Sequence, residues 1–183
     1  MANEATFDTL TAVHHAYPHL RPCLSTNGLL LEDSLPRIIR MGVRTLTVTV
    51  NAPDADVAER IYEWVRYKGP VHRGADAATV LVERQWAGIR AALAAGLAIK
   101  VNTVLIPGLN DSAVERIARR LGELGVALMN VMPLIPAGHM RDRRPPTCEE
   151  LEQVRAACER FVPQFRRCEH CRADIVRFPA EEG

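Results

Sequence analysis

The sequence predicts an α/β fold in which parallel strands form part of a TIM-like (β/α) barrel. Short segments rich in β-branched residues alternate with longer segments whose apolar residues recur at helical spacing, and this alternation is typical of parallel sheets with helical crossovers. The 183 residues contain about four such βα units, whereas a closed eight-stranded barrel takes about 250 residues. We therefore expect one domain that forms a partial barrel and has no internal linker.

Strands are predicted where β-branched residues are dense and a turn signal follows. The clearest strand is residues 43–51, in which threonine and asparagine alternate with leucine and valine. The first strand ends at the turn pair Asn27-Gly28 and the third at Pro107-Gly108. The expected strands are residues 20–26, 43–51, 97–106 and 126–132.

Helices are predicted where apolar residues return every three or four positions and where capping residues mark the ends. Thr147 with Glu150, and Ser112 with Glu115, each match a capping box. Asp54 suits the first turn of a helix, where negative charge is favoured by the helix dipole. The expected helices are residues 4–17, 33–41, 54–66, 76–95, 112–124 and 148–161.

The composition excludes several classes of function. Lys plus Arg is 23 and Asp plus Glu is 22, a formal charge of +1, so no basic surface for nucleic acid or an anionic membrane is expected. No segment reaches the roughly 18–20 apolar residues of a membrane span, and the first residues do not resemble a signal peptide. The odd number of cysteines, 5, fits free thiols or metal ligands in a reducing compartment. We expect a cytoplasmic protein that binds neither nucleic acid nor membrane.

Polar residues are concentrated towards the carboxyl ends of the expected strands, where parallel α/β folds bind ligands. Within a strand, alternate side chains face opposite sides of the sheet, and the apolar set must face the helices, so the polar set is expected to line the barrel interior. These polar residues are Ser25, Thr26, Asn27, Thr45, Thr47, Thr49, Asn51, Lys100, Asn102 and Asn130. Buried hydroxyls and amides need hydrogen-bond partners, which a polar ligand would supply. The alternative for any one of them is that it caps a strand or a helix.

The cysteines separate into candidate ligands and structural residues. Cys168 and Cys171 form a Cys-x-x-Cys pair, which can bind a metal ion or an iron–sulfur site, act as a redox dithiol, or be incidental. Cys23, inside the first strand, is on its own more typical of a small buried residue. Cys158 lies on the apolar stripe of its helix and is expected in the core, whereas Cys148 is expected on the surface.

Five blocks of the sequence together resemble one family, the NifB family of radical S-adenosylmethionine (SAM) enzymes. The resemblance covers residues 4–177, and the block Asn-Val-Met-Pro-Leu followed by Cys-x-x-Cys-Arg-Ala-Asp is its most specific part. The blocks are Cys-Leu-Ser-Thr-Asn-Gly at 23–28, Thr-Val-Thr-Val-Asn at 47–51, Lys-Val-Asn-Thr-Val-Leu-Ile-Pro-Gly-Leu-Asn-Asp at 100–111, Asn-Val-Met-Pro-Leu at 130–134 and Cys-Glu-His-Cys-Arg-Ala-Asp at 168–174.

The resemblance implies a partial (β/α) barrel of the radical SAM type, with SAM and [4Fe-4S] clusters as cofactors. In the family, a cluster on a Cys-x3-Cys-x2-Cys loop cleaves SAM. Two further [4Fe-4S] clusters are then fused, with insertion of a carbide, into the precursor of the nitrogenase iron–molybdenum cofactor. The implied partners are iron–sulfur cluster donor and cofactor carrier proteins.

The family's roles fall on particular residues of this chain. Cys23 resembles a ligand of one substrate cluster, and Cys168 and Cys171 resemble ligands of the other. The residues implied at the SAM site are Ser25, Thr26, Asn27, Thr49, Asn51 and Asn102.

The sequence departs from the family at one motif, because it contains no Cys-x3-Cys-x2-Cys. We expect residues 1–177 to supply barrel units three to six, with the Cys-x-x-Cys segment at their carboxyl end, and residues 178–183 to be a disordered tail. The functional alternatives are part of a cofactor-maturing radical SAM enzyme, or a non-catalytic iron–sulfur or zinc-binding fragment that acts as an assembly scaffold.

Overall fold

Four parallel strands form the main sheet of the protein. The computed structural model describes residues 4–165; Cys168, Cys171 and the tail at 178–183 lie outside the described residues. The sheet strands are β1 (Cys23–Thr26), β2 (Thr45–Thr49), β5 (Ala98–Leu105) and β6 (Leu128–Pro133), in the order β1-β2-β5-β6. The helices are α1 (Glu4–Ala16), α2 (Leu31–Arg40), α3 (Ala55–Glu59), α4 (Gly74–Ala94), α5 (Val114–Glu123) and α6 (Cys148–Glu159). The predicted α/β class, parallel sheet and four βα units are confirmed.

One face of the sheet packs against the helices and carries the core. Leu46 and Val48 of β2 pair in register with Ile99 and Val101 of β5, and all four are at most 1 % exposed. Trp86 on α4 belongs to the same cluster. Alternation along the strands therefore sends the apolar residues to the helix layer, as the sequence predicts.

The predicted helix at residues 54–66 is confirmed at its start, where Asp54 caps it, and is wrong beyond Glu59. Helix α3 ends at Glu59, and an antiparallel hairpin follows, formed by β3 (Trp64–Arg66) and β4 (Val71–Arg73). Its turn contains Lys68 at φ 51 and Gly69 at φ 109, a left-handed conformation that glycine adopts at no steric cost. Three-residue strands are too short to show alternation, so their apolar residues matched helical spacing instead.

The two predicted capping boxes have different outcomes. At α6, the Glu150 backbone N–H donates to the Thr147 hydroxyl at 3.1 Å, and the Thr147 N–H donates to the Glu150 carboxylate at 2.7 Å, which confirms that box. At α5 the chain first forms a short 3-10 turn over Asp111–Ala113, and no side chain caps the helix. The box predicted at Ser112 is therefore wrong.

The chain after α6 returns along the far side of β6. A Cβ added to Gly122 would lie 2.3 Å from the Phe161 carbonyl oxygen, so α5 meets the end of α6 in close contact. Gln164 then pairs in parallel with Met129, and the Phe165 N–H donates to the Met129 carbonyl at 2.8 Å. The last described residues thus run beside β6 towards the carboxyl edge of the sheet. Among residues 4–165, no helix is both long and apolar enough to cross a membrane.

Candidate functional site

The face of the sheet opposite the helices, called here the inner face, carries two polar rows. In the first row, Ser25 pairs with Thr47, and Thr47 with Lys100. The second row lies two residues nearer the carboxyl edge, and its members, in strand order, are Thr49, Asn102 and Asn130. The prediction that polar side chains would share one face across several strands is confirmed for these residues.

The second row is deeply buried. Asn102 is 5 % exposed and Asn130 is 0 % exposed, and Thr49 is half-buried. Neither polar atom of the Asn130 side chain has a hydrogen-bond partner among the described residues. A polar group in this condition is destabilising unless something pairs with it, so the β6 end of the row has hydrogen-bonding capacity that the described residues do not meet.

Cys23 lies on the inner face and is exposed. It pairs in register with Thr45, two residues nearer the amino end of the strands than the first polar row. Its thiol forms no disulfide with the described cysteines. The reading of Cys23 as a small buried residue is therefore wrong. Cys158 is the buried cysteine, at 0 % exposure in the core, and burial raises the pKa of its thiol to about 12. Cys148 is exposed, as expected.

Gln85 fixes the backbone at the carboxyl ends of β1 and β2. This residue of α4 is 1 % exposed, and its Nε2 donates to the Asn27 carbonyl at 2.8 Å and to the Thr49 carbonyl at 2.9 Å. Gly28, at φ +83, makes room for it, since a Cβ at Gly28 would lie 2.9 Å from Gln85 Cγ. One buried amide therefore sets the spacing between two residues of the predicted site.

Asn51 joins the ends of β2 and β5. Its Oδ1 accepts from the Val104 N–H at 2.9 Å, and its Nδ2 donates to the Tyr62 hydroxyl oxygen at 3.0 Å. Burial raises the pKa of Tyr62 to about 12, and the hydrogen bond from Asn51 opposes that rise, so the phenol remains protonated at neutral pH. The amide of Asn51 is thus engaged within the chain.

Asn110 completes the same edge from the loop after β5. Its Nδ2 donates to the carbonyls of Asn51 at 2.9 Å and Val104 at 2.8 Å, and its Oδ1 accepts from the Ile106 N–H at 2.8 Å. All these bonds are to backbone atoms. Sequence reasoning missed Asn110, Gln85 and Tyr62. Only Gln85 could have been found from the sequence, because it is a polar residue four positions from each of Leu81 and Ile89 on the buried stripe of α4.

The predicted SAM-site residues are only partly brought together. Ser25, Thr49 and Asn102 share the inner face, and Asn27 stands at the rim, where its Oδ1 accepts from the Leu29 N–H at 3.1 Å. Thr26 pairs with Val48, so it faces the helix layer instead. Its hydroxyl accepts from the Gly28 N–H at 3.1 Å and shapes the turn.

A cavity of about 320 Å³ lies beside the rim, between β1 and the hairpin. Asn27 and Gln85 line one side of it, and Tyr62 and Trp64 line the other. Trp64 is 52 % exposed. Because the first strand of the hairpin was predicted as the end of a helix, this cavity was not expected from the sequence.

The chain that precedes Cys168 reaches the inner face. The Phe165 ring lies 5.4 Å from Lys100 Nζ, and Lys100 belongs to the first polar row. Within residues 4–165, no three His, Cys, Asp or Glu side chains are grouped closely enough to hold a metal ion. In that part of the chain, Cys23 is the cysteine that the inner face presents.

Comparison with known proteins identifies the family. The model of the Radical SAM superfamily matches residues 4–121. The chain belongs to the Radical SAM superfamily. Its parallel sheet is therefore that of a radical SAM protein, and this family implies a [4Fe-4S] cluster and SAM as cofactors.

Several similar radical SAM proteins are named FeMo cofactor biosynthesis protein NifB. The protein of that name from Methanocaldococcus jannaschii is 48 % identical over 95 % of this chain and 58 % of its own length. The one from Klebsiella pneumoniae is 38 % identical over 100 % of this chain and 40 % of its own length. The chain thus spans little more than half of the first relative and less than half of the second.

Solved radical SAM structures share the fold. A domain of pyruvate-formate lyase-activating enzyme from Bacteroides vulgatus aligns over 88 % of this chain and 90 % of its own, with a TM-score of 0.63 and 15 % identity. A radical SAM methyltransferase from Sphaerobacter thermophilus aligns over 88 % of this chain and 46 % of its own, with a TM-score of 0.64 and 23 % identity. At these identities the likeness concerns the fold alone.

Proposed function

We propose that this chain forms the SAM-binding and cluster-binding part of a radical SAM protein of FeMo cofactor biosynthesis. The observation that carries the proposal is the inner face, where an exposed thiol at Cys23 lies below a buried polar row. The likeness to proteins named NifB supports the assignment to this process. In the proposed reaction, two [4Fe-4S] substrate clusters are fused with insertion of a carbide.

The polar rows fit SAM. Its ribose, amino and carboxylate groups are hydrogen-bonding partners for hydroxyls and amides, and the inner face presents such groups at Ser25 and Thr49. We assign the contacts to Ser25, Asn27, Thr49 and Asn102. Thr26 and Asn51 are not assigned as direct contacts, because their side chains accept hydrogen bonds within the chain. Thr26 stabilises the turn after β1, and Asn51 joins the ends of β2 and β5. Bound SAM supplies the carbon and the radical chemistry of the family.

The residues of this chain do not fit the radical-generating cluster. That cluster needs the Cys-x3-Cys-x2-Cys arrangement, which the five cysteines of the sequence do not form. Radical formation is therefore not assigned to these residues. Their proposed part is to bind SAM and to hold the substrate clusters at a fixed distance from it.

Cys23, Cys168 and Cys171 are the proposed ligands of the substrate clusters. Thiolates are the usual protein ligands of [4Fe-4S] clusters, and Cys23 is exposed on the inner face. Phe165 is held beside β6 with its ring near Lys100. Cys168 and Cys171 lie outside the described residues, and their assignment is carried by the resemblance to the NifB family. An exposed Cys23 also suits transfer of clusters from donor proteins and to carrier proteins.

Anaerobic reconstitution with iron and sulfide tests the cluster ligands. We expect the wild-type chain to bind iron and to give an electron paramagnetic resonance signal of reduced [4Fe-4S] clusters. The double variant C168S/C171S should lose one cluster's worth of iron, and C23S should weaken the other. C148S removes an exposed cysteine that is not assigned as a ligand, and should change nothing.

The opposite results are equally clear. Unchanged iron in both C23S and C168S/C171S would overturn the ligand assignment. Zinc in place of iron in anaerobically purified protein would favour the alternative of a zinc-binding scaffold.

A further inference from the structure

A groove of about 490 Å³ lies in the helix layer, where α4 and α5 meet the segment that follows β2. Arg90 of α4 and Arg120 of α5 both line it, together with Pro53, Val82 and Trp86. The residues that line this groove include none of those proposed to bind SAM or the substrate clusters. It is therefore a second concave surface, with a role of its own to be explained.

The two arginines of the groove carry charge that the described residues do not neutralise. Among residues 4–165, neither Arg90 nor Arg120 forms an ion pair. Asp54, a carboxylate that lines the groove, is bonded to Arg116 instead. Glu83 also lines the groove, but it forms no ion pair with either arginine. The groove thus has two cationic groups whose hydrogen-bonding capacity towards an anion is unused.

Arg120 is held in position despite the cost to its charge. Its guanidinium lies 4.2 Å from the centre of the Trp86 ring, and the Trp86 indole N–H donates to the Pro53 carbonyl at 3.2 Å. Arg120 Nη1 donates to the same carbonyl at 3.5 Å. Burial lowers the pKa of Arg120 and the nearby charge of Arg90 lowers it further, whereas Glu123 opposes that change. A half-buried guanidinium is thus fixed beside a group of like charge.

The chemistry of the groove favours an organic oxyanion. A guanidinium is a planar fork of N–H donors that matches the oxygens of a carboxylate or a phosphate, and an anion between two arginines also removes their repulsion. The volume falls within the range of about 300–1,000 Å³ that is usual for small-molecule pockets. Val82 and Ala87 supply apolar lining beside the charged groups. A ligand that fills the groove therefore has an apolar body as well as an anionic group.

We propose that Arg90 and Arg120 bind the carboxylate or phosphate group of a small organic anion in this groove. The site is separate from the inner face and does not depend on the function proposed above. Carboxylate and phosphate share the same geometry of recognition by arginine, and the experiment below distinguishes them.

Tryptophan fluorescence of the full chain tests the proposal. The sequence contains two tryptophans, so Trp64→Phe leaves Trp86, beneath the Arg120 guanidinium, as the remaining tryptophan emitter. Inorganic phosphate and malonate are titrated separately at constant ionic strength, with chloride as the reference anion, because general screening is then equal in all three. We expect a saturable change with phosphate or malonate and none with chloride. The anion that binds more tightly identifies the preferred group.

Substitutions in the Trp64→Phe background locate the bound anion. Arg90→Gln removes one charge, and Arg120→Lys keeps the charge but loses the planar fork, so each should weaken binding by about tenfold. Arg44→Gln is the matched control, since it removes an exposed arginine that does not line the groove, and it should bind as its parent does. Without anion, Arg90→Gln should melt no lower than its parent, because the substitution relieves repulsion of Arg120.

Two results would overturn the proposal. One is the absence of saturation by both phosphate and malonate, or a response to chloride as large as theirs. The other is undiminished binding in both Arg90→Gln and Arg120→Lys, which would place the anion elsewhere. If Arg120→Lys does not fold, Arg90→Gln at its exposed position decides alone. Iron content and SAM binding are measured separately, so failure here is distinguishable from failure of the proposed function.

Discussion

At the scale of single residues, the rim of the inner face is organised by amides that donate to backbone carbonyls. Gln85 holds the carbonyls of Asn27 and Thr49 from behind, and Asn110 does the same for the ends of β2 and β5. Each spans two strands with one rigid side chain. The rim geometry therefore depends on the helix layer and the loops as much as on the strands.

Removing the Gln85 amide should destabilise the protein markedly. Gln85→Leu removes the buried donor shared by two part-buried carbonyls, and we expect the free energy of unfolding to fall by about 1–3 kcal/mol, measured by urea denaturation. Ser112→Ala, an exposed position whose side chain caps no helix, is the control and should differ little from wild type. A Gln85→Leu variant as stable as wild type would contradict the proposed role of these two bonds.

Gln85→Glu adds a test that depends on pH. A carboxylate facing two carbonyl oxygens is disfavoured, so the folded-state pKa of Glu at this position should lie above its unfolded value of about 4.3. The stability of Gln85→Glu relative to wild type is then greatest below the unfolded-state pKa of the glutamate, and it falls as pH rises through the folded-state pKa. Urea denaturation at pH 4 and pH 8 should show the larger deficit at pH 8, and an equal deficit at both would count against the geometry.

Strand alternation predicted the faces of individual residues correctly where a strand is regular. Thr49 and Asn102 lie on the inner face because they share parity with Thr47 and Lys100. Thr26 was grouped with Ser25 and Asn27 both as part of a polar strand end and by family resemblance, although its parity sends it to the helix side. The Gln85 and Asn110 bonds join residues 58 and 59 positions apart, and no local pattern reveals such partners.

At the scale of elements, α6 has the best-defined start in the chain. Thr147 and Glu150 form the capping box, and Arg144 donates two hydrogen bonds to the Glu150 carboxylate at 2.7 and 2.6 Å. The Arg144 bonds and the Thr147 N–H together lower the pKa of Glu150 to about 2. A loop and a helix end are thus joined through one carboxylate.

Substitution at this cap should show a defined pH dependence. Because the folded-state pKa of Glu150 lies below its unfolded value of 4.5, its contribution to stability is present above pH 4.5 and is lost as pH falls towards 2. Glu150→Gln should therefore be less stable than wild type at pH 6, and the difference should shrink on acidification, as followed by thermal denaturation. Thr147→Ala should cost about 1 kcal/mol at either pH, since a hydroxyl does not titrate in this range.

The element that the sequence did not predict, the β3–β4 hairpin, is held by side chains far away in the chain. The Tyr67 hydroxyl donates to Asp33 at 3.0 Å, and Lys68 Nζ lies 2.7 Å from the same carboxylate. Helix α6, whose capping signal is local, was predicted within two residues of its observed end. The hairpin depends on contacts with α2, and for that reason its local sequence was ambiguous.

At the scale of the whole molecule, the α5–α6 contact controls where the last described segment lies. Gly122 faces the Phe161 carbonyl with no room for a side chain, and four residues later Phe165 bonds to Met129. Any change that separates α5 from α6 therefore also moves the segment that ends at Phe165. The packing of α5 against the end of α6 on the helix side therefore determines the position of Phe165 beside the inner face.

Gly122→Ala tests this connection. The added methyl group should lower the free energy of unfolding by about 1–2 kcal/mol, since overpacking costs more than the helix-propensity gain. Hydrogen exchange should quicken first at the amides of Met129 and Phe165. Gly96→Ala, where a side chain meets nothing within 4 Å but φ is +79, should destabilise the chain without that local effect. Unaltered exchange at both amides in Gly122→Ala would refute the connection.

The order of the strands in the sheet has a consequence for synthesis on the ribosome. Apart from the hairpin, spatial order follows chain order, from β1 to β2 to β5 to β6, so each newly emerged strand finds its neighbour already made. The polar row consequently grows one residue at a time, from Thr49 to Asn102 to Asn130. Phe165 can reach its place only after β6 has joined, and therefore its contact with Lys100 on the inner face forms after the three members of the polar row are aligned.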